Sequence, residues 1–134
     1  MAIMTRTHLG KWNEKRMGIN IRFIDHKDQR YDTVGDWYVK DDTLEIRVSK
    51  LPDHKMELCI AEHEFNEAVL CIERGITAKM VDTFDMNFKG EGEPGDDVNA
   101  PYRTEHFFAE TIERLLCAEL GVDWQEYVKA CDSV

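Results

Sequence analysis

His63, Glu64 and Glu67 fall in the run His63-Glu64-Phe65-Asn66-Glu67, and their types and spacing could do chemistry together. On a helix, side chains four apart share a face, so His63 and Glu67 can hold one metal ion while Glu64 lies about 100° round. This order matches the first half of the zinc motif His-Glu-x-x-His, in which two imidazoles bind the metal and the intervening glutamate is the general base. Glu67 stands where the second histidine would be, so one ligand becomes a carboxylate. The chemistry expected is hydrolysis. A metal ion activates water and polarises a carbonyl, while Glu64 takes a proton and later delivers it to the leaving group.

The run Met56 to Arg74 reads as a buried helix. Glu62, Asn66 and Glu73 gather on one side of its wheel, and Glu64 falls roughly opposite, with Leu58, Ala61, Phe65, Ala68 and Ile72. An ionised carboxylate among apolar groups needs a partner. A metal-activated water is one, and an ion pair with one of the arginines is the other.

A catalytic metal usually has three protein ligands and an open position, so a third ligand must come from elsewhere. His8, His26 and His54 lie in polar or turn-like surroundings and read as solvated. His106 opens a helical column with Glu110 and Glu113, near Tyr102. The set His63, Glu67 and His106 would be two imidazoles and one carboxylate, the inventory of a catalytic zinc site. Glu110 or Glu113 could replace a ligand or hold one from behind. Tyr102 could steady an oxyanion or sit at the rim. The competing reading makes His106, with Arg103, Glu110, Glu113 and Arg114, the wet face of an amphipathic helix whose apolar side is Phe108, Ile112 and Leu115. Cys59, His63, Glu67 and Cys71 form a ladder at four-residue spacing, but the ladder spans more than three turns, too long for one ion.

These residues need a scaffold, and the pattern supplies an α+β one. Ile19, Ile21 and Phe23 alternate with polar residues, as do Leu44, Ile46 and Val48, and Trp37 to Val39 makes a short strand between them. Lys40-Asp41-Asp42-Thr43 has hairpin-turn composition, which pairs the strands of Trp37 to Ser49 antiparallel. Pro52 and Asp53 start the motif helix and Gly75 ends it. Thr77 caps a second helix, Tyr102 to Leu120 forms a third that stops at Gly121, and Asp123 caps a fourth. The expectation is a small antiparallel N-terminal sheet followed by three to four helices packed on one face.

The chain's 134 residues, 43% hydrophobic, suit one domain over 1–134. A net charge of -10 argues against direct nucleic-acid binding, which needs a basic stripe. No apolar stretch approaches a membrane span and no signal-peptide core is present, so the expected location is the cytoplasm. The scattered Cys59, Cys71, Cys117 and Cys131 read as reduced core thiols. Lys89 to Pro101 has loop composition, and its Glu91, Glu93, Asp96 and Asp97 would repel a phosphate. It reads as a solvated loop, with a lid over the site or a weak calcium contact as the alternative.

The strand Leu44 to Ser49 feeding a helix that carries His63-Glu64 resembles the minimal core of zincin metallopeptidases. The segments Ala61-Glu62-His63-Glu64-Phe65-Asn66-Glu67-Ala68, Val81-Asp82-Thr83-Phe84-Asp85, Gly95-Asp96-Asp97 through Ala100-Pro101-Tyr102, and His106 through Leu116 are similar to small phage and prophage proteins. The first resemblance implies Zn²⁺, a peptide or protein substrate and Glu64 as base; the second implies a host-cytoplasm setting. Two other readings stay open. The carboxylate pairs Glu64/Glu67 and Glu110/Glu113 could hold Mg²⁺ for nucleotide pyrophosphohydrolysis, and an acidic phage accessory or inhibitor protein could carry a vestigial site and bind a basic partner.

Overall fold

The computed structural model describes residues 11–14 and 16–134. Along the chain it contains α1 (Lys11–Glu14), β1 (Gly18–Ile24), β2 (Gly35–Lys40), β3 (Thr43–Ser49), α2 (His54–Glu73), α3 (Ala78–Asn87), α4 (Arg103–Glu119) and α5 (Trp124–Asp132). Short 3-10 turns occur at His26–Asp28 and Pro94–Asp96. The class is α+β, as the patterning implies.

The sheet has three strands in the order β1-β3-β2 and is mixed, not antiparallel throughout. β2 and β3 form the expected antiparallel hairpin, while β1 pairs parallel to β3, Gly18 with Thr43 through Ile24 with Ser49. The cause is the route of the chain. Residues 25–34 reverse the direction after β1 but leave β2 one strand width away, and β3 enters the gap. Being antiparallel to β2, it is necessarily parallel to β1. The hairpin turn is made by Asp41 and Asp42, with φ of 51° and 60°. Two residues at positive φ give the turn whose twist matches that of the strands, and Asp tolerates this backbone better than most side chains.

The alternation of β3 sorts its side chains. Leu44, Ile46 and Val48 are fully buried under α2, each contributing about 1.5–3 kcal/mol by leaving water. On the other face Glu45 accepts hydrogen bonds from Asn20 at 2.8 Å and Arg47 at 2.6 Å.

α2 starts where Asp53 accepts a hydrogen bond from the Lys55 backbone N–H and ends at Gly75, whose φ of +75° lets the Ile76 N–H close on the Cys71 carbonyl at 2.8 Å. Thr77 and Asp123 cap α3 and α5 as expected. Two helix faces differ from the sequence reading. On α2, Leu58 is 39% exposed, and the deeply buried line is the ladder Cys59, His63, Glu67 and Cys71. On α4, Phe108 and Leu115 face solvent while His106, Ala109, Glu113 and Cys117 are buried against α2. A wheel separates two faces but does not say which one the fold covers. Here the polar column is covered because its partners on α2 are polar too. The four cysteines are free, and three of them are buried. No helix among the described residues is long and apolar enough to cross a membrane.

Candidate metal centre

α2 and α4 lie side by side, and their buried polar lines meet at three side chains. Glu67 Oε2 lies 3.2 Å from His63 Nε2 and 3.0 Å from His106 Nδ1, so one carboxylate oxygen sits between two imidazoles. The rings meet edge to face with centroids 4.8 Å apart. His63 and Glu67 face the same way because they are one helical turn apart. His106 joins them through the packing of α4.

Each of the three is held from behind. His63 Nδ1 is 2.7 Å from Glu113 Oε1, and the other oxygen of Glu113 accepts a short hydrogen bond from Tyr127 on α5. The Trp37 indole on β2 donates to Glu67 Oε1 at 3.1 Å. Beside His106 runs the backbone of Gly95, where a Cβ would come within 2.4 Å of the ring. These groups line a cavity of about 770 Å³ that also takes in Glu64, Asp85 and Tyr102.

Glu64 occupies the place its spacing predicts, one step round the helix and inside this cavity. Its carboxylate packs against Gly35 of β2, where a Cβ would stand 2.5 Å from Oε1. Among the described residues no side chain or backbone N–H donates to it. Burial and the charge of Glu67 hold its pKa well above the usual carboxylate range. A raised carboxyl pKa suits a group that must take and return a proton near neutrality. Nearby, Asp85 accepts from Tyr31 at 3.2 Å and from Tyr102 through a shorter bond. Burial, with Glu67 close by, lifts the Asp85 carboxyl to about 6 against the pull of the tyrosines.

The electrostatics of the three-residue set are those of compensated charge. Burial opposes ionisation of His63, but its bonds to Glu113 and Glu67 outweigh that and raise its pKa well above the usual value. Burial likewise opposes the charge on His106, and Glu67 and Glu93 overcome it, raising the pKa to about 10. Glu67 pays a desolvation cost, yet the two histidines draw it down to about 2. Without a cation, protons on the histidines neutralise the carboxylates. A divalent ion would replace them.

The residues fit such an ion. Their three ligand atoms lie within 4.8 Å of one another, and two nitrogens with one oxygen are a catalytic zinc inventory. With Nδ1 donating to Glu113, His63 presents the Nε2 lone pair to the centre, an arrangement common in metal-binding histidines.

Other sequence candidates separate from this centre. An ion pair between the motif carboxylates and an arginine does not form among the described residues: Arg30 pairs with Asp36 and Asp82, and Arg74 with Glu105. Glu113 backs a proposed ligand, whereas Glu110 sits 3.8 Å from Arg114 and outside the cluster. Tyr102 is buried and its hydroxyl is committed to Asp85. His54 is exposed as expected, but His26 is half-buried between Ser49 and Asp32, at 2.9 and 2.8 Å. His8 lies outside the described residues. No four-carboxylate set of Glu64, Glu67, Glu110 and Glu113 assembles among the described residues.

Trp37, Gly35, Asp85 and Tyr127 escaped the sequence reading. Each serves the site through contacts 14 or more residues apart in sequence, such as Tyr127 to Glu113 and Trp37 to Glu67, and local spacing carries no signal of them. No family model matches this chain, and neither the curated proteins nor the solved structures contain a match.

Proposed function

We propose that this chain is a zinc-dependent hydrolase of peptide or amide bonds, with a zincin-like β3–α2 core. His63, Glu67 and His106 are its metal ligands and Glu64 its general base. The convergence of His63 Nε2, Glu67 Oε2 and His106 Nδ1 in a buried pocket carries the reading. A Zn²⁺ held there would supply Lewis-acid polarisation of a carbonyl and make a water acidic near neutral pH. The chain's own residues do the rest. Glu113, anchored by Tyr127, fixes the ring of His63; Trp37 fixes the carboxylate of Glu67. Among the described residues nothing donates to Glu64, which leaves its oxygens free to accept a proton from water and pass it to a leaving nitrogen. Gly35 leaves room for that carboxylate beside the cleft.

Elemental analysis of protein purified without chelator or a metal-affinity column, followed by a peptide-substrate screen, tests the reading. The expected result is about one zinc per chain, lost in His63→Ala, with Glu64→Gln keeping the metal and losing turnover by a factor of about 10² or more. Full activity in Glu64→Gln refutes the mechanism. Stoichiometric, salt-sensitive binding of a basic protein without turnover would favour the accessory-protein reading instead.

A further inference from the structure

His106 has two ring nitrogens, and the proposed centre uses one. The other, Nε2, points away from Glu67 toward the loop before α4, where Glu93 Oε2 lies at 3.1 Å and Asp96 Oδ1 at 3.3 Å. Yet Nε2, buried in a residue only 5% exposed, makes no hydrogen bond. At these separations the two carboxylates meet the ring as charge contacts, without the aligned geometry of a hydrogen bond. His63 shows the contrast, since its Nδ1 does form a hydrogen bond with its single carboxylate partner at 2.7 Å. A nitrogen and two oxygens around a common point, all within 4.8 Å of one another, have the arrangement of a coordination face. Gly95 makes that face possible. It lies between Glu93 and Asp96 near the ring, and any side chain there would collide with His106.

We propose that His106 Nε2, Glu93 and Asp96 form a second seat for a divalent metal ion, on the far side of the imidazole from Glu67. One nitrogen and two hard oxygens suit a hard-to-borderline divalent ion such as Mn²⁺. The carboxylate side chains are 67% and 58% exposed, so an ion there keeps solvent ligands and is reached directly from the cleft mouth. A neutral imidazole carries one lone pair, so His106 serves one ion at a time. The outer seat therefore competes with the inner set for this ring, and an excess of metal weakens the inner centre by drawing on the same residue. The seat does not depend on the inner set being catalytic.

Mn²⁺ binding by equilibrium dialysis with elemental analysis, supported by electron paramagnetic resonance, tests the proposal in proteins whose inner set is disabled. Glu67→Gln and His63→Ala, each confirmed folded by circular dichroism, should both still take up about one Mn²⁺ per chain. Adding Glu93→Gln with Asp96→Asn should weaken that uptake at least tenfold. The Glu93→Gln/Asp96→Asn protein with the inner set intact should retain its zinc. Absence of Mn²⁺ from both inner-set variants, or uptake indifferent to the loop carboxylates, overturns the outer seat. Failure of the inner centre shows separately, as absence of zinc from the protein altered only in the loop.

Discussion

Glu113 offers a demanding test because it touches a proposed ligand without belonging to the ligand set. The perturbation is Glu113→Gln, which keeps size and shape and removes the charge. In the structure that carboxylate is buried, bonded to His63 Nδ1 at 2.7 Å and to the Tyr127 hydroxyl. Hydrogen bonds to charged groups contribute about 1.5–3 kcal/mol, so the metal-free protein should lose stability in that range. For a domain of this size that is a fall of roughly 5–10 °C in Tm. The effect on zinc is separate. Removing a carboxylate from behind a ligating histidine lowers metal affinity about 10–100-fold, or about 1.4–2.7 kcal/mol. Competition against a chromophoric zinc chelator measures this at fixed pH. Glu110→Gln is the control, since the ion pair of Glu110 among the described residues is with Arg114, at 3.8 Å, and touches none of the proposed ligands. It should change stability by less than about 0.5 kcal/mol and leave affinity unchanged. A folded Glu113→Gln protein that binds zinc within twofold of wild type refutes the reasoning that His63 is a ligand oriented by Glu113.

Two further expectations follow from the charge and packing of the same pocket. His106 is raised from 6.5 to about 10, so its contribution to metal-free stability is complete below pH 6.5 and disappears as pH climbs to about 10. Urea midpoints of metal-free protein should therefore fall between pH 6.5 and 10, and a flat profile would count against the buried imidazolium; zinc-loaded protein should lack this fall, because ligation replaces the proton. Gly35→Ala places a Cβ 2.5 Å from Glu64 Oε1 and 2.8 Å from Ile60 Cγ2, so denaturant unfolding should show a loss of about 1–3 kcal/mol from overpacking. Turnover should fall with zinc content unchanged, and unaltered turnover would show that Glu64 needs no space at Gly35.

The local elements were legible because their causes are local. Asp53, Thr77 and Asp123 cap helices through backbone N–H groups two or three residues on. Gly75 and Gly121 take the positive φ that ends a helix, and Asp41-Asp42 makes a two-residue turn. The i, i+4 spacing likewise put His63 and Glu67 on one face before any packing was known. The three-residue set could therefore be named from the sequence, with His106 chosen for the polar column it begins. That column also read as solvent-facing, since spacing groups residues into faces and is silent on which face is covered.

Tertiary structure decided what depends on the path of the chain and on the meeting of distant elements. Alternation in β1 marks a strand but has no direction, and the parallel pairing arose only because β3 fills the gap between β1 and β2. The inward turn of α4 follows from the polar ladder on α2 that it covers, which brings Glu113 to His63 across 50 residues of sequence. Trp37, Tyr127 and the Glu93 and Asp96 carboxylates reach the centre from three further segments. The sequence by itself determined the elements and the chemistry their faces could carry. Which faces meet depends on burying all of them at once, and the surroundings of Glu67 came from that closure.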